Sequence, residues 1–212
     1  MITTTQAHVS TPSIPIQTIV GPNESSRARR TTLLAFAADP AIRWLYPDAH
    51  SYTQGFPRFV DAFVGPSIAC NTSFHIDNFQ GVAYWLPPNE HADDEVITRV
   101  IEETVPRHRL REAFALFEQM DDFHPKEEHW YLPLIAVEPA QQNQGLGSAL
   151  LKHTLTRCDR SRTPAYLESS SATNIPLYEK HGFRLIGEIQ TSSSPIVYPM
   201  FRKPQFDPSM SQ

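Results

Sequence analysis

The chain has 212 residues, 40% of them hydrophobic and 10% aromatic, which is enough for one domain of about 190 residues behind a ragged N-terminus. A net charge of −5 offers no positive field for a nucleic acid, and two cysteines, Cys70 and Cys158, are too few and too far apart for a disulfide framework or a zinc site. No apolar run approaches the roughly 18 residues of a membrane helix, and the first residues lack a signal-peptide pattern. A cytoplasmic protein with reduced cysteines is expected.

In chain order, residues 1–13 are rich in Thr, Ser and Gln with little to bury, so disorder is expected there. Ile14, Ile16, Ile19 and Val20 fit a first strand, ended by Gly21-Pro22. Asn23 is placed to cap a helix running to Ala37. Asp39-Pro40 starts a short helix through Trp44, Leu45 and Tyr46. Phe56, Phe59, Val60, Phe63 and Val64 recur at i, i+3, i+4, i+7 and i+8, the spacing of an amphipathic helix. Residues 74–79 and 81–86 read as two antiparallel strands around an Asp77-Asn78 turn, and 89–95 as a loop. Leu110, Phe114, Phe117 and Met120 mark a helix over 107–120.

The second half is organised around residues 129–151. Trp130 to Val137 reads as a strand that Glu138-Pro139 ends, since proline cannot donate to a continuing ladder. Gly145 and Gly147 then open a helix reaching to about Cys158. A helix N-terminus with glycines at its mouth presents backbone N–H groups to an anion and lets it come close. There is no Gly-Lys-Ser/Thr for a P-loop and no third glycine for a dinucleotide site. A fifth strand over 164–169, a short helix from Asn174 to His181, a sixth strand over 183–190 and a seventh over 195–202 complete the pattern.

Gln142-Asn143-Gln144-Gly145-Leu146-Gly147, set directly after a strand, resembles the acetyl-CoA pyrophosphate loop of the GNAT superfamily of N-acetyltransferases. Asn174-Ile-Pro-Leu-Tyr178-Glu-Lys-His-Gly182-Phe183 is similar to that superfamily's second signature. Within it, residues 124–132 and Tyr166-Leu-Glu-Ser-Ser170 look closest to puromycin N-acetyltransferase and its relatives. The likeness covers roughly residues 124–203. It implies an α+β GNAT fold: a mixed, mostly antiparallel seven-stranded sheet with helices on both faces, spanning 14–203 and followed by a tail over 204–212.

The resemblance also implies roles. Acetyl-CoA would be held by Ile135, Ala136 and Val137 along the strand, by Gln142, Asn143, Gln144, Gly145, Leu146, Gly147 and Ser148 in the loop, and by Asn174 and Tyr178. A backbone N–H near Leu134 and Ile135 would face the developing oxyanion, with Pro133 favouring a bulge there. Tyr178 would protonate the leaving thiolate, because a phenol with an ordinary pKa near 10 stays protonated at neutral pH. The fourth strand carries no glutamate where many relatives place one, so Glu168 is the best substitute as base, with a structural salt bridge as its other reading and His124, His129 or a water chain as alternatives. Trp44, Tyr46, Phe56 and Trp85 would line the acceptor pocket. The expected reaction is direct acetyl transfer to the primary amine of a small molecule, with no metal, nucleic acid or membrane involved, by a monomer or homodimer. A peptide or protein N-acetyltransferase and a non-catalytic acyl-CoA sensor are the alternatives.

Overall fold

The computed structural model describes residues 14–205. The segment 1–13 and residues 206–212 of the expected tail lie outside the described residues. Seven strands form one sheet in the order β1-β2-β3-β4-β5-β7-β6. They are β1 (Ile16–Thr18), β2 (Ser73–Ile76), β3 (Gly81–Leu86), β4 (Trp130–Val137), β5 (Ala165–Ser169), β6 (Arg184–Leu185) and β7 (Tyr198–Arg202). Every neighbouring pair is antiparallel except β4 with β5. The expected seven-stranded, mostly antiparallel sheet is present.

The helices divide between the two faces, because strand side chains alternate and each face must be covered. On one face, Val82, Tyr84, Leu134 and Ala136 pack with α1 (Gly21–Ala35), α2 (Pro40–Leu45), α3 (Ala49–Ala69), α4 (Asp94–Thr104) and α5 (Leu110–Phe123). On the other, Ala83, Trp85, Trp130 and Leu132 pack with α6 (Leu146–Ser161) and α7 (Ile175–Lys180).

Four local expectations are corrected. Val20, not Asn23, caps α1: Gly21 takes φ +74°, Pro22 occupies the first turn, and Glu24 accepts from the Val20 N–H at 2.7 Å. The polar loop is shorter than expected, because Asp93 caps α4 by accepting from Glu95 and Val96. Residues 107–109 form a 3₁₀ turn ahead of α5, which runs on to Phe123. The sixth strand shrinks to Arg184–Leu185 plus an isolated bridge between Ile189 and Val197.

The centre of the sheet opens. β4 and β5 pair only at Trp130–Ala165 and Tyr131–Tyr166, then part. On the other side of β4 the register passes from Leu86–Tyr131 to Tyr84–Leu134, two residues of β3 against three of β4. That is a bulge at Leu132-Pro133, where proline has no N–H to give to a ladder. The extra residue reverses the alternation: Trp130 and Leu132 belong to the α6 face, and beyond the bulge Ile135 and Val137 take that face instead. One inserted position thus re-aims the whole second half of β4.

Candidate active site

Two cavities meet where β4 and β5 part. The first, about 280 Å³, is a cleft along the end of β4 and the start of α6, walled by Ile135, Ala136, Val137, Gln142, Asn143 and Gly145. Leu146, Gly147, Ser148, Asn174, Leu177 and Tyr178 complete its rim and floor. All but one of the residues assigned to the cofactor therefore share one cleft. Gln144 is the exception: its side chain turns back to the Ala140 carbonyl at 3.3 Å.

The local backbone explains the cleft. Gly145 caps α6 with φ +86° and Asn143 adopts φ +62°, so the turn uses the left-handed region twice in three residues. The 16-residue α6 follows at once, and the unpaired N–H groups and positive dipole end of its first turn belong to the cleft wall. At Gly147 a built Cβ meets only Leu177 and Val137, each at an ordinary 3.7 Å. The protein itself leaves room there. A β-branched side chain would fill the space that a phosphate needs, which is the fit expected of a diphosphate cradle.

The second cavity, about 110 Å³, lies on the α1–α5 side of the gap. Ala41, Ile42 and Leu45 of α2 line it, as do Phe59 and Phe63 of α3 and Leu116, Phe117 and Met120 of α5. Tyr131, Pro133, Leu167, Glu168 and Ser170 close it from the sheet. Among the described residues Glu168 is the one charged side chain in this wall, and that side chain is 4% exposed. Phe36, Ile135, Asn174 and Tyr178 border both cavities and mark their junction.

The four aromatics expected in the acceptor pocket lie elsewhere. Tyr46 and Phe56 are fully buried in the core beneath it, with rings 6.2 Å apart, and the Tyr46 hydroxyl meets Thr104 at 3.1 Å. Trp44 donates to Ser193 at 3.2 Å. Trp85 is on the opposite face of the sheet, since an odd position of β3 alternates away from Val82 and Tyr84. The lining aromatics are instead Phe36, Phe59, Phe63, Phe117, Tyr131 and Tyr178. The α3 stripe contained the signal, but periodicity alone does not tell which turns of a buried face abut a void.

Tyr178 is buried, with its ring 6.1 Å from Phe183, and burial and the Asp39 charge, with no hydrogen bond among the described residues, govern its hydroxyl. Burial raises its pKa, and the charge of Asp39 adds to the shift. The phenol is therefore held protonated more firmly than an ordinary tyrosine, and is a correspondingly weaker acid. Asp39 was legible only as a helix cap. It does cap α2, accepting from Ala41 and Ile42 at 3.0 Å each, but it also borders the cleft and binds the Ser170 hydroxyl. Burial raises its own pKa against the effect of those hydrogen bonds. Cys70 and Cys158 line neither cavity, and burial pushes the Cys158 thiol up to about 12. Among the described residues no group of three or more His, Cys, Asp or Glu is arranged to hold a metal ion.

A cleft at a glycine-capped helix, opening through a bulged and splayed strand pair onto an apolar cavity, sits in a sheet of the GNAT acetyltransferase fold. Residues 107–185, from the 3₁₀ turn through β6, match the family described as acetyltransferase (GNAT) domain. An uncharacterized N-acetyltransferase of Schizosaccharomyces pombe is 25% identical over 177 residues, 74% of this chain and 69% of its own. A Corynebacterium glutamicum structure described as histone acetyltransferase HPA2 and related acetyltransferase superposes with a TM-score of 0.68 at 22% identity, covering 93% of this chain and 99% of that one. Arylalkylamine N-acetyltransferase 2 from Aedes aegypti superposes with a TM-score of 0.60 at 14% identity, over 92% and 100%. These two structures share the fold with this chain. The match over residues 107–185 and the N-acetyltransferase relative support an N-acetyltransferase whose acetyl donor is acetyl-CoA.

Proposed function

We propose that the protein transfers acetyl from acetyl-CoA to the primary amine of a small, apolar molecule, directly and within a ternary complex. One observation carries this: the apolar cavity and the glycine-capped cleft share a border at Ile135 and Tyr178, so donor and acceptor can be held side by side with no thiol of the chain between them. Acetyl-CoA supplies an activated acetyl thioester when bound. The chain's own residues do the rest. The turn from Gln142 to Ser148 grips the diphosphate, and backbone N–H groups around Leu134 and Ile135, freed by the parting of β4 from β5, face the carbonyl oxygen. Glu168 draws the proton from the ammonium form of the acceptor, and Tyr178 gives its hydroxyl proton to the leaving sulfur.

The acceptor's size and character are read from the wall. About 110 Å³ is comparable to the engineered apolar cavity of roughly 150 Å³ that binds benzene, so one aromatic ring or a short alkyl chain on an amine is the expected fit. A peptide acceptor needs an open groove with polar partners for its backbone, and Phe59, Phe63, Phe117 and Met120 offer none. The likeness to puromycin N-acetyltransferase rests on residues 124–132 and 166–170; Tyr131, Glu168 and Ser170 of those motifs line this cavity, while its α2, α3 and α5 walls lie outside them. Among the described residues no helix is long and apolar enough to cross a membrane, and an acetyl-CoA-containing compartment such as the cytoplasm suits the chemistry. Calorimetry with acetyl-CoA followed by a free-thiol assay over arylalkyl, alkyl and peptide amines tests the proposal. Turnover of the peptides alone would overturn the acceptor class, and binding without any turnover would favour a sensor.

A further inference from the structure

Behind the acceptor cavity lies a polar one, also about 110 Å³, between the loop of Asn89, Glu90 and His91 and the turn from His124 to His129. Tyr131 lines both. His124 stands at the partition, in edge contact with Tyr131 and Tyr166 at ring-centroid distances of 4.8 and 4.9 Å. Its Nδ1 is 3.8 Å from Glu168 Oε1, and its Nε2 is 3.0 Å from His129 Nε2. His129 Nδ1 in turn lies 2.7 Å from the Glu127 carbonyl oxygen.

The tautomers follow by elimination. A carbonyl only accepts, so His129 carries its proton on Nδ1. Neutral His129 then has its lone pair on Nε2, which obliges His124 to donate from Nε2. Neutral His124 is left with a lone pair on Nδ1, turned toward a carboxylate oxygen. Two acceptors face each other at 3.8 Å, beyond a direct hydrogen bond, a separation that one water beside the pair would bridge.

The geometry points to a proton exit from the acceptor cavity: Glu168 passes the amine's proton to His124 Nδ1, and His124 hands it to water in the polar cavity. This deepens the proposed reaction and rests on it. The amine N–H bond breaks as a Glu168 O–H bond forms; that bond breaks as His124 Nδ1–H forms; water then takes the proton, and both side chains return to their starting states. Acid–base turnover needs such a route, because the Glu168 side chain is nearly sealed while that of His124 is 23% exposed. His129 is the positioning residue, and burial lowers its pKa, which keeps it the neutral acceptor that fixes its neighbour. Other titratable groups facing the pair are Tyr131 and Tyr166 from the strands and His91 from the loop. Glu90, Glu127, Glu128 and Lys126 border the polar cavity, three carboxylates to one ammonium among the described residues, which favours the proton's departure.

The route is tested on the full chain with an amine that the wild type acetylates. His124→Gln should lower kcat/KM by about 10²-fold, the lower end for a positioned proton acceptor, and displace the acid limb of the pH profile. Acetyl-CoA affinity by calorimetry should hold. His124→Ala should be rescued by added imidazole, which a purely structural loss would not allow. Wild-type rate and pH profile in both variants would overturn the route. Should the variants fail to fold, nitrogen–proton correlation spectra of the wild-type imidazoles decide: Nε2–H on His124 with Nδ1–H on His129 supports it, and Nδ1–H on neutral His124 refutes it. An enzyme that acetylates no amine at all would instead sink the proposed reaction, and the tautomers would still judge the geometry.

Discussion

Replacing Tyr178 by phenylalanine removes one oxygen at the junction of the two cavities. No hydrogen bond to a described protein group acts on that hydroxyl, so its loss orphans no partner. Folding stability should change by less than about 1 kcal/mol, a shift of only a few degrees in Tm for a chain this long. The ring stays packed on Phe183, so acetyl-CoA affinity should barely move. Turnover should fall by roughly 10²-fold, the scale of a lost general acid, equivalent to about 2.7 kcal/mol of barrier. Burial and the Asp39 charge both hold the phenol protonated beyond the usual tyrosine range, so the wild-type enzyme should show no alkaline limb from this group up to about pH 10. Steady-state kinetics with a thiol readout, beside calorimetry and thermal melts on the same samples, separates these effects. Unchanged turnover in a folded, acetyl-CoA-binding variant would mean that another group protonates the sulfur.

Three further outcomes are expected. Gly147→Val should melt within a few degrees of wild type, because a Cβ there makes only ordinary contacts with Leu177 and Val137, yet lose acetyl-CoA affinity in calorimetry; retained affinity would remove the diphosphate cradle. Asp159→Ala should cost about 3 kcal/mol in a denaturant titration, since it strips the bidentate partner, at 2.7 and 2.8 Å, from the buried Arg202 that also ties the Ala-to-Ser strand β5's neighbour β7 to the end of α7 through the His181 carbonyl. Burial lowers the pKa of His75, His129, His153 and His181. The unfolded chain therefore binds more protons than the folded one once the pH drops past about 6.5. Tm should hold above that pH and fall below it, whereas Asp39, whose pKa is raised, works in the opposite direction at lower pH. A Tm that rises as the pH falls from 7 toward 5.5, about one unit below the reference value for histidine, would contradict the burial of these rings.

The glycine-capped cleft could be read from residues because it is local. A strand, a proline stop, two glycines and a helix lie within some 20 consecutive positions, and a positive φ at Gly145 is the kind of constraint that a residue type announces. Pro133 likewise announced the break in β4, since a missing N–H needs no distant partner to matter. The acceptor cavity was not legible in this way. Phe56, Phe59 and Phe63 share one helical stripe, yet Phe59 and Phe63 reach the void while Phe56 packs below it. Which of them does so depends on how α2, α3 and α5 cross the sheet. Asp39 and Ser170, 131 positions apart, and the line from Glu168 through His124 to His129, exist only once distant segments are folded together. Backbone chemistry fixed along a short stretch is written in the sequence; side chains brought together from separate elements acquire their chemistry from packing.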